Sequence, residues 1–220
     1  MNLPIFAQLI NLCAALLLLI AFAMLTQRRI LSLIDLFALQ GLVLAISTAI
    51  VAYSARRPEL YISALITLAL KVAFLPWFLH WLIRKLNVRW DVEAVVNIPV
   101  QMLIGIVLVI FAFNLAAPIS AIAGTVTKST LGIAIACILL AFVMLITRRK
   151  AVSQVIGLLA MENGLFFAAT SATYGMPMVV ELGILFDVLI GSVIFGVFFF
   201  HIRDTFESLD IHHLEKLKER

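Results

Sequence analysis

Seven stretches of this chain are apolar for long enough to cross a lipid bilayer, and that pattern limits its fold more than any other feature. A helix rises ~1.5 Å per residue, so about 20 predominantly apolar residues cross the ~30 Å hydrocarbon layer. The runs 3–25, 30–52, 60–83, 94–113, 130–147, 152–172 and 178–202 all reach or approach this length. With 64% hydrophobic and 13% charged residues, the chain has too little polar surface to clothe a water-soluble globule. The expected fold is an all-α integral membrane protein of seven transmembrane helices, occupying residues 1–220 as one membrane domain.

The first run lacks a basic leader and a small-residue cleavage site, and Arg28 and Arg29 follow it, so it reads as a mature span rather than a signal peptide. Cys13 and Cys137 stand alone inside apolar runs with no histidine at ligand spacing. Two small core residues are the expected reading, and no cofactor or metal is expected. His212 and His213, beside Asp210, would point in different directions from a helix and do not make a metal site.

Lysines and arginines fall in alternate loops, twelve on one side and three (Arg56, Arg57, Lys128) on the other, with Lys71 inside a span. That distribution is a topological signal rather than a nucleic-acid surface. It predicts an N-terminus outside and a C-terminus in the cytoplasm. Residues 203–220 mix charges with Phe206, Leu209, Ile211, Leu214 and Leu217, which suggests a short amphipathic cytoplasmic helix. Residues 114–129 read as an outer loop containing Pro, Gly, Ser and Thr.

An internal repeat is visible. Ala21-Phe22-Ala23-Met24-Leu25 followed by Arg28-Arg29 recurs as Ala141-Phe142-Val143-Met144-Leu145 followed by Arg148-Arg149, and Ala38-Leu39-Gln40-Gly41 is echoed by Ala160-Met161-Glu162-Asn163-Gly164. The expected organisation is a first three-helix repeat (1–93), a linking helix and outer loop (94–129), a second three-helix repeat (130–202) and the tail (203–220). Gln40 would then stand where the second half carries an acid.

Ionisable residues near the middle of a bilayer cost roughly 2.5–3.5 kcal/mol each on insertion scales and ask for a reason. Lys71 lies about 16 Å from the outer edge of the third run, Glu162 about 15 Å into the sixth, and Asp187 about 14 Å into the seventh. Glu181 sits nearer the outer interface, and His80 near the inner one. Asp187 shares a four-residue stripe with Gly183 and Gly191, where a neighbouring helix can approach closely. Asp35 is expected at the inner interface among basic residues, and Pro76 is expected to kink the third span just below Lys71. Burial disfavours the charged form of any such group while pairing restores it, so a row comprising Lys71, Glu162, Asp187, Glu181 and His80 is a candidate proton path.

The stretches Arg148-Arg149, Met161-Glu162-Asn163-Gly164 and Val180-Glu181-Leu182-Gly183-Ile184 with Asp187, the spacing of Lys71-Val72 to Pro76, and the tail Leu209-Asp210-Ile211 resemble component E of the hydrogenase 4 and formate hydrogenlyase type of membrane complex. The second half is also similar to the small K-type subunit of complex I and to the C-type subunit of multisubunit cation/proton antiporters, with Glu162 and Asp187-Val188-Leu189-Ile190-Gly191 in the places of two membrane acids. Lys71 to Trp81 resembles the lysine and proline segment of antiporter-like subunits. Glu162 lies further from its arginines than in the small subunit, and Asp187 replaces a glutamate.

This resemblance implies a noncatalytic subunit in the membrane arm of an energy-converting, hydrogenase-type oxidoreductase complex. Its partners would be antiporter-like and anchor subunits within the cytoplasmic membrane of a prokaryote, and its role would be proton or cation translocation coupled to redox chemistry held elsewhere. The lipid bilayer is the remaining expected partner, and nucleic acid is not. Two alternatives come from other classes: a free-standing secondary transporter, for which broken helices around a central site would be needed, and a purely structural membrane anchor.

Overall fold

The computed structural model describes residues 5–56, 58–86, 96–122 and 127–173, together with the isolated helical positions Leu189, Gly191 and Gly196. The expected seventh span and the tail 203–220, including Glu181 and Asp187, otherwise lie outside the described residues. What is described is helical. Helix α1 covers Ile5–Thr26 and α2 covers Ile30–Ala55. The third span comprises α3 (Glu59–Thr67), a π-helical segment (Leu68–Phe74) and α4 (Leu75–Leu86). Then come α5 (Ile98–Ile122), α6 (Thr127–Thr147) and α7 (Ala151–Thr173). Among the described residues, six helical stretches are long and apolar enough to cross a membrane: Ile5–Thr26, Ile30–Ala55, Leu60–Trp81, Ile98–Pro118, Thr130–Thr147 and Val152–Thr170. The architecture is that of a multi-span membrane protein.

Helices α1, α2, α6 and α7 enclose the interior, where Leu17, Met24, Phe37, Leu140 and Phe167 are buried together. Cys13 and Cys137 belong to the same core as free thiols. Helix α5 lies against α6 and α1 and is apolar over most of its surface, presenting Leu103, Val107 and Ile110 outward. In a bilayer those side chains meet lipid rather than water.

The direction of the helices follows from contacts at their ends. Arg148, just beyond α6, donates from Nη2 to the carbonyls of Met24 (3.2 Å) and Leu25 (2.7 Å), at the end of α1. Helices α1 and α6 therefore run the same way and finish side by side, and the short turns that follow start α2 and α7 from the same end. Helix α7 can lie close along α6 because Gly164 faces its backbone: a Cβ there would stand 3.1 Å from the Ile138 nitrogen and 2.8 Å from Ile138 Cγ1.

Two sequence expectations are corrected. Residues 114–129 do not form a long outer loop, because α5 continues through Pro118 to Ile122 and α6 begins at Thr127. Proline removes one backbone hydrogen bond, whereas leaving the helix within an apolar stretch would expose several polar backbone groups. The irregularity near Pro76 is also not a simple proline kink. It is a π-helical segment ending just before α4, in which one extra residue is accommodated within the turn.

Candidate functional site

Lys71 lies in the middle of the π segment and is 0% exposed. Its Nζ reaches α7, where three residues receive it. Nζ stands 2.8 Å from Glu162 Oε1 and donates a 2.8 Å hydrogen bond to Asn163 Oδ1. It also lies 5.7 Å from the ring centre of Phe166, within cation–π range. Residues 162, 163 and 166 share one side of a helix, so a single turn of α7 surrounds the ammonium.

The contact with Glu162 is a close ion pair, and the second carboxylate oxygen, Oε2, has no hydrogen-bond partner among the described residues. Asn163 receives a second, equally short bond from the ammonium. That amide is oriented in turn: its Nδ2 donates to Gln40 Oε1 on α2 at 3.2 Å, which leaves Oδ1 facing Lys71. Gln40 and Asn163 are each 1% exposed and Glu162 6%. Four polar side chains from three separate spans thus form one buried cluster inside an apolar bundle.

Gly41 makes the approach possible. A Cβ at this position would lie 3.1 Å from Lys71 Cβ and 3.5 Å from the Lys71 carbonyl oxygen, so α2 touches the π segment at backbone distance. The neighbouring Gln40 is thereby carried to the level of Asn163.

Two buried hydroxyl residues sit above the lysine at four-residue spacing, Ser63 and Thr67, and Ser47 is buried on α2 two helical turns beyond Gln40. Thr67 Oγ1 and Ser47 Oγ have no hydrogen-bond partner among the described residues. The Ser63-x-x-x-Thr67-x-x-x-Lys71 spacing is legible in the sequence as a polar stripe on one helix face, and Asn163 as an amide adjoining a midplane acid.

His80 does not join the cluster. Its Nδ1 lies 2.9 Å from the Pro76 carbonyl, which can only accept, so Nδ1 carries the proton and Nε2 faces Asp35 Oδ1 at 3.9 Å. Asp35 is mostly exposed and faces this histidine on α4. A cavity of about 340 Å³ lined by Trp77, His80, Trp81 and Arg84 opens beside it. Glu181 and Asp187 lie outside the described residues. Further along the chain, the described residue Gly196 comes near α4, where a Cβ on it would stand 3.3 Å from Phe78 Cζ.

Among the described residues, no group of histidine, cysteine, aspartate and glutamate side chains is arranged to hold a metal ion. No protein-family profile matches the chain, and no solved structure matches it significantly. The chain is similar to Uncharacterized protein Rv0085 of Mycobacterium tuberculosis (strain ATCC 25618 / H37Rv), at 29% identity over 215 residues that cover 97% of this chain and 98% of the relative.

Proposed function

We propose that this protein is a noncatalytic membrane-arm subunit of an energy-converting, hydrogenase-type complex related to complex I, and that it contributes a proton-transfer centre at Lys71 and Glu162. The observation that carries the reading is the buried pair at 2.8 Å, with Lys71 separately anchored on Asn163. A proton passing from the ammonium to the carboxylate neutralises both groups at once. The hydrogen bond from Lys71 to Asn163 survives that transfer, since a neutral amine still donates. A third proton donor or a water approaching the open side of the carboxylate could then carry the charge onward.

The resemblance of the glutamate, lysine and arginine stretches to component E of hydrogenase 4 and formate hydrogenlyase supports the placement in such a complex. Under this reading the remaining span, 178–202, completes seven and brings Asp187 and Glu181 toward the same path, with His80 serving the opposite end. The common direction of α1 with α6 and of α2 with α7 supports two parallel three-helix repeats related by duplication, in which Gln40 occupies the place of an acid. The basic bias supports a cytoplasmic C-terminus in a prokaryotic cell membrane.

The test is to solubilise the native membrane in mild detergent and identify what co-purifies with the tagged chain. Antiporter-like and anchor subunits together with a redox arm are expected. Reconstituted with that complex, Glu162→Gln is expected to preserve assembly and to lower proton uptake. A chain that purifies alone, or full uptake with Glu162→Gln, would remove the reading.

A further inference from the structure

The turns between α1 and α2 and between α6 and α7 each span three residues, 27–29 and 148–150. Arg148 binds them to one another. It is 2% exposed and its Nη2 holds the last carbonyls of α1, while its own carbonyl accepts from Gln154 Nε2 at 2.9 Å. Arg28 and Arg29 of the first turn and Arg149 of the second are left exposed at this end. Neither turn contains an acid. The nearest acid on α2, Asp35, faces His80.

Two further features favour an anion here. Arg29 caps α2 without a side-chain hydrogen bond to the first turn, so no capping side chain offsets the positive end of that helix. The Nε–H of Arg148 is buried and has no acceptor among the described residues. Burial also pushes the Arg148 guanidinium below its ordinary value, although a guanidinium stays charged at any physiological pH.

Depth identifies the anion. Helices of 22 and 21 residues, α1 and α6, extend about 32 Å, close to the hydrocarbon thickness. Turns of three residues cannot lift their side chains far beyond the ends of such spans, so these arginines lie level with lipid headgroups. Guanidinium groups bind phosphate oxygens in pairs, with shorter and stronger hydrogen bonds than neutral donors make. We propose that Arg28, Arg29 and Arg149, gathered by Arg148, form a binding site for the phosphate of an anionic phospholipid. The site does not depend on the proton-transfer reading.

The test uses the purified full-length protein in a neutral detergent, with its melting temperature followed during titration of phosphatidylglycerol, cardiolipin, phosphatidylcholine or inorganic phosphate. The anionic lipids are expected to raise it saturably, and phosphatidylcholine and inorganic phosphate to leave it unmoved. Removing each arginine as Arg28→Gln, Arg29→Gln or Arg149→Gln should weaken the lipid effect about fivefold, whereas Arg56→Gln at the other end should not change it. The single variants keep the test readable if the triple variant fails to fold. Equal stabilisation by phosphatidylcholine, an equal effect of inorganic phosphate, or unchanged lipid affinity in all three variants would overturn the site. A wild-type protein indifferent to anionic lipid would overturn it too, leaving these arginines to an acidic protein partner.

Discussion

Lys71 and Asn163 are joined by a 2.8 Å hydrogen bond across 92 positions of sequence, and this bond gives the ammonium a second, directional anchor beside the ion pair with Glu162. Ion pairs tolerate a wide range of angles, whereas an amide acceptor fixes direction. Because the acceptor is itself held by Gln40, the position of the ammonium is decided jointly by α2 and α7.

The first prediction concerns the cost of breaking the pair. Removing one partner of a buried ion pair strands the other, typically at about 3–5 kcal/mol, whereas removing both can be nearly neutral. Lys71→Met should therefore lower the melting temperature of the detergent-solubilised protein sharply. The Lys71→Met/Glu162→Gln double variant should recover most of that loss. Losses that simply add would show that the two groups do not depend on each other.

The second prediction isolates Gln40. Gln40→Leu leaves the Asn163 amide nitrogen buried without its acceptor, a loss of about 1–3 kcal/mol. Residues in contact within one hydrogen-bond network show coupling of about 0.5–3 kcal/mol. A double-mutant cycle of Gln40→Leu with Asn163→Leu, read from unfolding of the same preparation, should fall in that range. Additivity would mean that the amide is oriented by something else.

The third prediction is steric. At Gly41 a methyl group would press on Lys71 Cβ at 3.1 Å, a contact that a shift of a few tenths of an ångström relieves, but a larger side chain has no room. Gly41→Ala should be tolerated with a modest loss of stability. Gly41→Leu should separate α2 from the π segment, and Lys71 should become reactive toward a membrane-permeant amine reagent that spares it in the parent protein. Continued protection in the Leu variant would place the close approach elsewhere.

Much of this architecture is legible in the amino-acid sequence. Lipid-length apolar runs mark the six described spans because the bilayer imposes one length on all of them. Lys71 and Glu162 stand out singly, since each is costly where it lies. Their partnership is not legible, because periodicity describes faces within a helix and says nothing about which distant helix a face meets. The π segment is hidden for a related reason. Pro76 signals an irregular turn, but its placement across Lys71 goes with the close packing against Gly41. Pro118 misleads in the opposite direction, since its usual meaning as a loop residue holds in water and weakens in lipid, where an unbroken helix satisfies more of the backbone.

The last prediction separates a polar stripe that carries protons from one that is merely tolerated. Thr67 Oγ1 is buried without a hydrogen-bond partner among the described residues, one helical turn from Lys71. Replacing an unpaired buried hydroxyl by a methyl of similar shape removes a desolvated polar atom, so Thr67→Val should leave stability unchanged or raise it slightly. A hydroxyl that both donates and accepts can, however, relay a proton, and a methyl cannot. If the path from Lys71 runs along this face, Thr67→Val should lower proton uptake of the reconstituted complex while Thr67→Ser retains it. The opposed directions of the two readouts make the experiment decisive: a gain in stability with no change in uptake assigns Thr67 to packing alone.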